Sequence, residues 1–373
     1  MSHVPASPLA PTPYLAVDLE RLHANVDRMA ALARDAGLAL RPHVKTHKCL
    51  EIARLQVAAG ARGISVATIG EAEIFAEAGF GDIFIAYPLW LDDAKAERLA
   101  RLSQHAGMKP VRVGADSVEG VANLARAVEL GANLQVLVEI DSGHHRSGVA
   151  PHLAGEIAEK AREAGVECAG VFTFPGHSYA PGEGRMTAAV DEAQTLEAAA
   201  ASLEAEDFER ERLVVSGGSS PSAEFAASIG SASSISELRP GVYVFGDAQQ
   251  WELGSCTPDQ IALTAHSTVV SHAGGRLVLD SGSKILGADR APWATGFGRL
   301  LDHPDARIVI LSEHHAVVEM NGAASDPPPP LGSVVRVVPN HACNAVNLVD
   351  TLTVTSTNDD VTTWRVVARG ANS

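Results

Sequence analysis

Lys45 lies in Arg41-Pro42-His43-Val44-Lys45-Thr46-His47-Lys48, directly after a short apolar run and directly before a helix-like segment. A lysine at the mouth of a strand is held by a rigid element, and partial desolvation keeps some of its amine neutral. Such an amine can form a Schiff base, which is what pyridoxal phosphate enzymes require. The same octapeptide also reads as a basic patch of Arg41, Lys45 and Lys48 beside a strand. These residues alone leave both readings open.

Four further stretches carry candidate chemistry. Val215-Ser216-Gly217-Gly218-Ser219-Ser220-Pro221-Ser222 follows a strand and opens a helical segment. Small residues let a ligand approach the backbone, N–H groups at a helix start attract an anion, and hydroxyls add donors, so the loop reads as a phosphate cradle or as a plain Gly/Ser turn. In His341-Ala342-Cys343, expected on a strand, residues two apart project to one side, so an imidazole and a thiol would form a zinc-binding pair with room for water and substrate. The plainer alternative is a strand-end histidine beside a buried cysteine. Asp141-Ser142-Gly143-His144-His145-Arg146 ends a strand; Arg146 is placed to bond a phenolate or carboxylate, with Glu139 or Asp141 orienting it, while His144 and His145 are expected in solvent. Gly176-His177-Ser178-Tyr179 ends another strand with an imidazole, a hydroxyl and a phenol, suited to a general base, cofactor contacts or a turn. Asp280 to Lys284 and Ser312 to His315 read first as tight turns.

The elements that must position these groups alternate. After a Pro- and Ser-rich lead over Met1 to Tyr14, a short strand at 14–17 precedes a helix with Leu19, Leu22, Val26 and Met29 at helical spacing, and Asp18 is placed to cap it. Strand candidates then recur at 38–44, 63–67, 82–87, 110–113, 134–140, 166–174, 212–215 and 241–245, with helices between most of them. Near-continuous apolar strands in this rhythm indicate a parallel sheet covered by helices, and eight of them favour a closed (β/α)8 TIM-type barrel. Functional groups gather at the carboxyl ends of such strands, where Lys45, Glu139, Asp141, Arg146, His177 and the Ser216–Ser220 loop all fall. From Asp259 onwards, β-branched runs separated by turns replace the alternation and predict an antiparallel β domain without helices of any length. Pro327 to Pro330 is expected as a rigid surface loop within it. The fold class is therefore α/β followed by β: a barrel over 1–255 and a β domain over 256–373, with residues 1–17 able to pack on the latter.

Composition narrows the partners. A chain of 373 residues with 46% hydrophobic and 20% charged residues is globular and long enough for two domains. A formal charge of −16 disfavours nucleic acid and anionic membranes, leaving a small-molecule substrate as the expected partner. Cys49, Cys168, Cys256 and Cys343 lie far apart, without disulfide-scaffold spacing, which suits the cytoplasm. The N-terminal lead has no basic or apolar signal region, and no apolar run approaches about 18 residues, so neither secretion nor membrane spanning is expected.

Taken together, Arg41 to Lys48, Asp141 to Gly148, Gly176 to Tyr179, Ser216 to Ser222, Glu237-Leu238-Arg239-Pro240-Gly241-Val242-Tyr243, Asp280 to Lys284 and Pro339-Asn340-His341-Ala342-Cys343 resemble, in order, the D-serine dehydratase and D-threonine aldolase group of fold-type III pyridoxal phosphate enzymes, relatives of alanine racemase. The resemblance covers nearly the whole chain. It implies an alanine racemase-type barrel with a C-terminal β domain, and a homodimer. It implies that Lys45 carries pyridoxal phosphate and acts with His177. It also implies that His43, Arg146, Ser178, Tyr179, Ser216, Gly217, Gly218, Ser219, Ser220 and Tyr243 contact the cofactor, and that His341 and Cys343 bind zinc, with manganese or another divalent cation as the alternative. The aldolase branch looks like His-x-Asp at the metal pair and the dehydratase branch like His-x-Cys, so Cys343 implies elimination of water from a β-hydroxy-D-amino acid to give a 2-oxo acid and ammonia. Retro-aldol cleavage to glycine and an aldehyde is the nearest alternative; a racemase and a non-enzymatic cofactor carrier are more distant. One departure stands out: where some relatives place a tyrosine before the Gly-His motif, this chain has Val171-Phe172-Thr173-Phe174.

Overall fold

The computed structural model describes residues 11–229, 233–320, 327–358 and 360–373, so the N-terminal lead expected before residue 11 lies outside the described residues. The chain divides into two compact units: residues 28–45, 52–241 and 371–373 form one, and residues 1–27, 46–51 and 242–370 the other. No helix among the described residues is long and apolar enough to cross a membrane.

The first unit is the barrel. Its eight-stranded sheet runs Ala39–Leu40, Glu237–Leu238, Val214–Gly217, Glu167–Phe172, Leu134–Glu139, Val111–Ala115, Ile83–Pro88 and Ile64–Val66, every neighbour parallel. A parallel bridge between His43 and Ser65 joins the two ends. Helices start where short polar side chains can satisfy their first amides: Thr68, Asp92 and Ser117 accept from Glu71, Lys95 and Gly120 respectively. In the helix Val118–Glu129, Val121, Leu124 and Ala127 recur on one face and are buried, so periodicity translates directly into packing. Inside the barrel, Phe84 and Phe172 meet edge to face at 5.0 Å beside Leu137 and Ala169.

Two expectations for this unit need correction. The strand expected over 38–44 is only Ala39–Leu40, followed by a 3₁₀ turn at Val44–Thr46. The eighth strand is Glu237–Leu238, not the apolar run at 241–245, where Val242–Val244 is a 3₁₀ turn closed by the amides of Phe245 and Gly246 on the carbonyl of Val242. A short apolar run does not distinguish a strand from a buried turn by its pattern alone.

The second unit holds the antiparallel expectation with additions. Its nine-stranded sheet follows the path Arg307–Leu311, Ala316–Glu319, Leu277–Leu279, Leu263–Ser271, Tyr14–Asp18, Thr351–Thr355 and Val361–Arg365, with Val334–Pro339 pairing Leu263–Ser271 and Gly298–Leu300. Tyr14–Asp18 is antiparallel to Leu263–Ser271 but parallel to Thr351–Thr355. The expected absence of helices fails at Ser283–Leu286 and Ala342–Val346, both too short to leave a periodic signature.

Two buried carboxylates fix the frame of the barrel. Glu237 accepts Nε of the fully buried Arg41 at 2.8 Å and the hydroxyl of Ser216 at 2.7 Å. Ser216 in turn accepts Nη1 of Arg239 at 2.6 Å. Burial opposes the charge on Arg41, but Glu237 and Asp82 beside it outweigh that effect and raise its pKa. Glu192, from the long helix Gly184–Glu204, is fully buried and accepts the amide of Gly218 at 2.6 Å, tying that helix to the loop after Val214–Gly217. Burial lifts the Glu192 carboxyl from 4.5 to about 7 against the opposing effects of that amide and of Arg239.

Replacing Glu237 with Ala leaves a buried guanidinium without its carboxylate, and is expected to cost about 3–5 kcal/mol, read as a lower urea midpoint. A loss below about 1 kcal/mol would mean that Asp82 alone holds Arg41. For Glu192 the folded pKa is raised, so its contribution is fully present below the unfolded value of 4.5 and is lost as pH rises through about 7. Glu192→Gln keeps an acceptor for Gly218 and removes this dependence. It should therefore be more stable than the wild type by roughly 1–3 kcal/mol near pH 8.5. Parallel stability–pH curves for the two proteins would show that Glu192 stays ionised.

Candidate active site

Within Arg41 to Lys48 only Lys45 is exposed; Arg41 and Lys48 are buried, so the stretch is not a solvated basic patch. The strand Ala39–Leu40 and the turn after it deliver the lysine at a carboxyl end of the barrel sheet. His43 is held there by its backbone, its amide on the carbonyl of Pro240 at 3.0 Å. Phe174 is the surface around which this mouth gathers. Lys45 Nζ stands 5.9 Å from its ring centroid and the Arg146 guanidinium 5.0 Å, while His144 packs edge-on at 5.5 Å and Tyr179 tilts against it at 6.1 Å.

The expectation for His144 is corrected by this packing: it is half-buried, and burial, then Arg146 and His177, lower its pKa. His145 is exposed as expected. Asp141 does not orient Arg146; it accepts the amides of Gly143 and His145 and pairs with the His145 ring at 2.7 Å. Glu139 is the nearer carboxylate, 4.0 Å from Arg146 Nη2. It is buried, accepts the Ser147 hydroxyl at 3.0 Å, and has its pKa raised by that burial.

The Ser/Gly loop leaves the carboxyl end of Val214–Gly217, two strands from the lysine strand in the sheet. Gly218 adopts φ +82°, and a side chain there would press on Leu238 at 2.8 Å, so the turn requires glycine. Its hydroxyls divide. Ser216 points into the Glu237–Arg239 network, whereas Ser219 shares hydrogen bonds of 2.8 Å with both Ser178 and Ser222. The amides of Gly218 and Ser219 are already used by Glu192 and Ser222, so the expected cradle of bare backbone N–H groups is narrower than the motif suggests. His177 Nε2 lies 3.3 Å from Asp191 without hydrogen-bond alignment, and neither ring nitrogen has a hydrogen-bond partner among the described residues. An exposed amine beside an aromatic face, with a cluster of serine hydroxyls at a nearby strand end, suits a ligand carrying an aldehyde and a phosphate.

In the second unit, His341 and Cys343 do not lie on a strand. Val334–Pro339 ends before them, His341 is the N-cap of Ala342–Val346, and Cys343 sits in its first turn. Within that turn, Cys343 Sγ is 3.3 Å from the hydroxyl of Thr46 and is also hydrogen-bonded to the His341 imidazole. The imidazole Nδ1 meets Asp289 Oδ2 at 2.7 Å. Burial alone would lower the His341 pKa, but Cys343, Asp247 and Asp289 surround it with negative charge and raise it to about 10. An imidazole and a thiol that face each other have the donor chemistry for a zinc ion. Among the described residues no three His, Cys, Asp or Glu side chains group to hold a metal. Tyr243 is buried in the Val242–Val244 turn.

Sequence reasoning gave no role to Arg239, which it named only within a motif, and missed Asp247 and Asp289. Arg239 is buried, donates to the Thr173 carbonyl and lies 5.1 Å over Phe172 and 5.5 Å over Phe84. Its signal was the alternation Glu237-Leu238-Arg239 inside an otherwise apolar setting, a pattern of paired buried charges. Asp289 stands 52 positions before His341 in a loop with no periodic cue.

Comparison with known proteins shows the family. Residues 17–249 match the family model described as "Alanine racemase, N-terminal domain", and residues 262–355 the one described as "Putative serine dehydratase domain". The chain is 34% identical over 378 residues to a D-threonine aldolase of Arthrobacter sp, covering 98% of this chain and 95% of the aldolase. It is 32% identical over 360 residues to the D-threo-3-hydroxyaspartate dehydratase of Delftia sp. (strain HT23), covering 89% and 90%. A C-to-A variant of a D-threo-3-hydroxyaspartate dehydratase, solved in a metal-free form, superposes with a TM-score of 0.86 at 31% identity over 96% of this chain and 97% of that one. With a racemase-type barrel joined to a dehydratase-type β domain and lyases as full-length relatives, the chain belongs to the fold-type III pyridoxal phosphate family of alanine racemase type, in its lyase group.

Proposed function

We propose that this chain eliminates water from a β-hydroxy-D-amino acid, giving a 2-oxo acid and ammonia, with pyridoxal phosphate on Lys45 and zinc on His341 and Cys343. The observation that carries the reading is the meeting of the His341 imidazole with the Cys343 thiol, backed by the Asp289 carboxylate. An aldolase and a dehydratase are relatives of similar identity, so overall likeness does not choose between them. What supports elimination is the pair of His341 and Cys343, since a thiolate is a soft ligand that favours zinc over magnesium or manganese.

Bound pyridoxal phosphate supplies an electron sink for charge developing at Cα. Zinc supplies a Lewis acid for the β-hydroxyl, since hydroxide is otherwise a poor leaving group. The residues do the rest. Lys45 Nζ, exposed at a strand end, accepts the Cα proton, and the face it occupies selects the D configuration. Ser178, Ser219 and Ser220 offer hydroxyl donors to the phosphate, and Arg146 over Phe174 offers a cation to an anionic oxygen. His43 and Tyr243 stand as further cofactor contacts in this reading. His177 is the base for the competing retro-aldol reaction, because its ring nitrogens are uncommitted among the described residues. A homodimer is the assembly proposed with this function.

Lys45→Ala should abolish both turnover and the visible absorbance of bound cofactor; absorbance that survives the substitution would refute the assignment. Chelation of the metal should stop ammonia release while the cofactor stays bound, and full activity in metal-free protein would take the metal out of the reaction. Incubation with D-serine, D-threonine and 3-hydroxyaspartate decides the bond broken. A 2-oxo acid with ammonia supports elimination; glycine with an aldehyde replaces it by retro-aldol cleavage.

A further inference from the structure

Asp289 lies in the loop between the short helix Ser283–Leu286 and the strand Gly298–Leu300. That loop is pinned beside His341 from below: Asn340 Nδ2 donates to the carbonyls of Asp289 at 3.0 Å and Gly296 at 2.8 Å. The residue before His341 thus fixes the backbone that presents the carboxylate. Asp247, buried at the start of Ala248–Glu252, accepts the Ala342 amide at 3.1 Å and holds the backbone after His341 in the same way. His341 itself has an extended backbone, φ −136° and ψ 103°, so its ring direction is not set by the helix that follows. The ring is held instead by the 2.7 Å contact between Nδ1 and Asp289.

We propose that Asp289 is the positioning residue of the metal pair: by accepting the Nδ1–H of His341 it fixes the tautomer and leaves Nε2 as the nitrogen that binds a divalent cation together with Cys343. This rests on the metal reading above and adds a residue to it. A carboxylate behind a ligating imidazole raises the basicity of the nitrogen facing the metal and prevents ring rotation, and losing such a partner typically weakens metal binding 10–100-fold. Asp289 touches neither substrate nor cation in this assignment. Its side chain is 42% exposed, so it can be changed without opening a void in the core.

The test uses the cofactor-loaded protein as wild type, Asp289→Asn and Asp289→Glu, each titrated with zinc against a chromogenic chelator. Asp289→Asn should bind zinc about 10–100-fold more weakly. Asp289→Glu should recover most of the affinity, and all three should keep the cofactor absorbance and, without metal, the same melting temperature. With cobalt in place of zinc, the thiolate-to-cobalt charge-transfer band should persist in Asp289→Asn at saturation, because Cys343 still ligates. Equal zinc affinity in wild type and Asp289→Asn overturns the proposal. So does an affinity loss matched by a lower melting temperature of the metal-free variant, since Asp289 would then only brace its loop. A wild type that takes up neither zinc nor cobalt is a different result: it removes the metal reading itself, and the positioning role with it.

Discussion

The contact between Glu237 and Arg41 is the constraint on which the barrel depends. Arg41 follows Ala39–Leu40 and Glu237 begins Glu237–Leu238, strands of only two residues that have little ladder of their own to hold them together. A fully buried ion pair costs much of its Coulomb attraction in lost hydration, so its value here lies in specificity more than in stability. It sets the register at the seam where the sheet brings its ends together. On one side the chain continues to Lys45; on the other, Ser216 and Arg239 carry the network to the start of the Ser/Gly loop. The Lys45 amine and the start of the Ser/Gly loop are therefore positioned by one buried cluster.

His341 and Cys343 follow a different rule. Side chains two apart on a helix point away from each other, so a His-x-Cys sequence inside a helix could not converge. It converges here because His341 is the cap and not a helical residue. A cap side chain folds over the first turn, the same geometry by which serine or aspartate reaches the second or third amide. An imidazole in that position reaches the thiol instead. The strand expectation predicted the right neighbours for the wrong reason, since both geometries bring the pair to one side.

How much was legible in the sequence follows from the range of each interaction. The alternation of apolar strands and helices is local and periodic, and it foretold the parallel barrel and the antiparallel sheet. Lys45, the Ser/Gly loop and His341-Ala342-Cys343 stand out as candidates by residue type next to strand ends. The parts that stayed hidden are pairings over long separations. Nothing near Asp289 points to His341, and nothing near Glu192 points to Gly218. The apolar run at 241–245 misled because burial, not strand geometry, is what it encodes; Val242, Tyr243 and Val244 are all buried in a turn. The motif at Ser216 misled in part for the opposite reason, because a hydroxyl expected to face a ligand is drawn inward by a carboxylate 21 residues away.

The helix that carries Cys343 is held at both ends by hydrogen bonds. Asp247 accepts its first amide, and Lys48 Nζ bonds the side chain of Asn347, its C-cap, at 2.8 Å. Lys48 adopts a left-handed backbone, φ 49°, uncommon for a residue with a side chain, and its carbonyl accepts the amide of Ala368. An ammonium at the carboxyl end of a helix is also favoured by the helix dipole. A structural zinc would itself supply such folding energy, through four protein ligands. Here hydrogen bonds fix both ends of the turn. Under the proposed function, a cation on His341 and Cys343 would not be needed to fold the turn, and its remaining positions would be free for water and a substrate hydroxyl, as in a catalytic site.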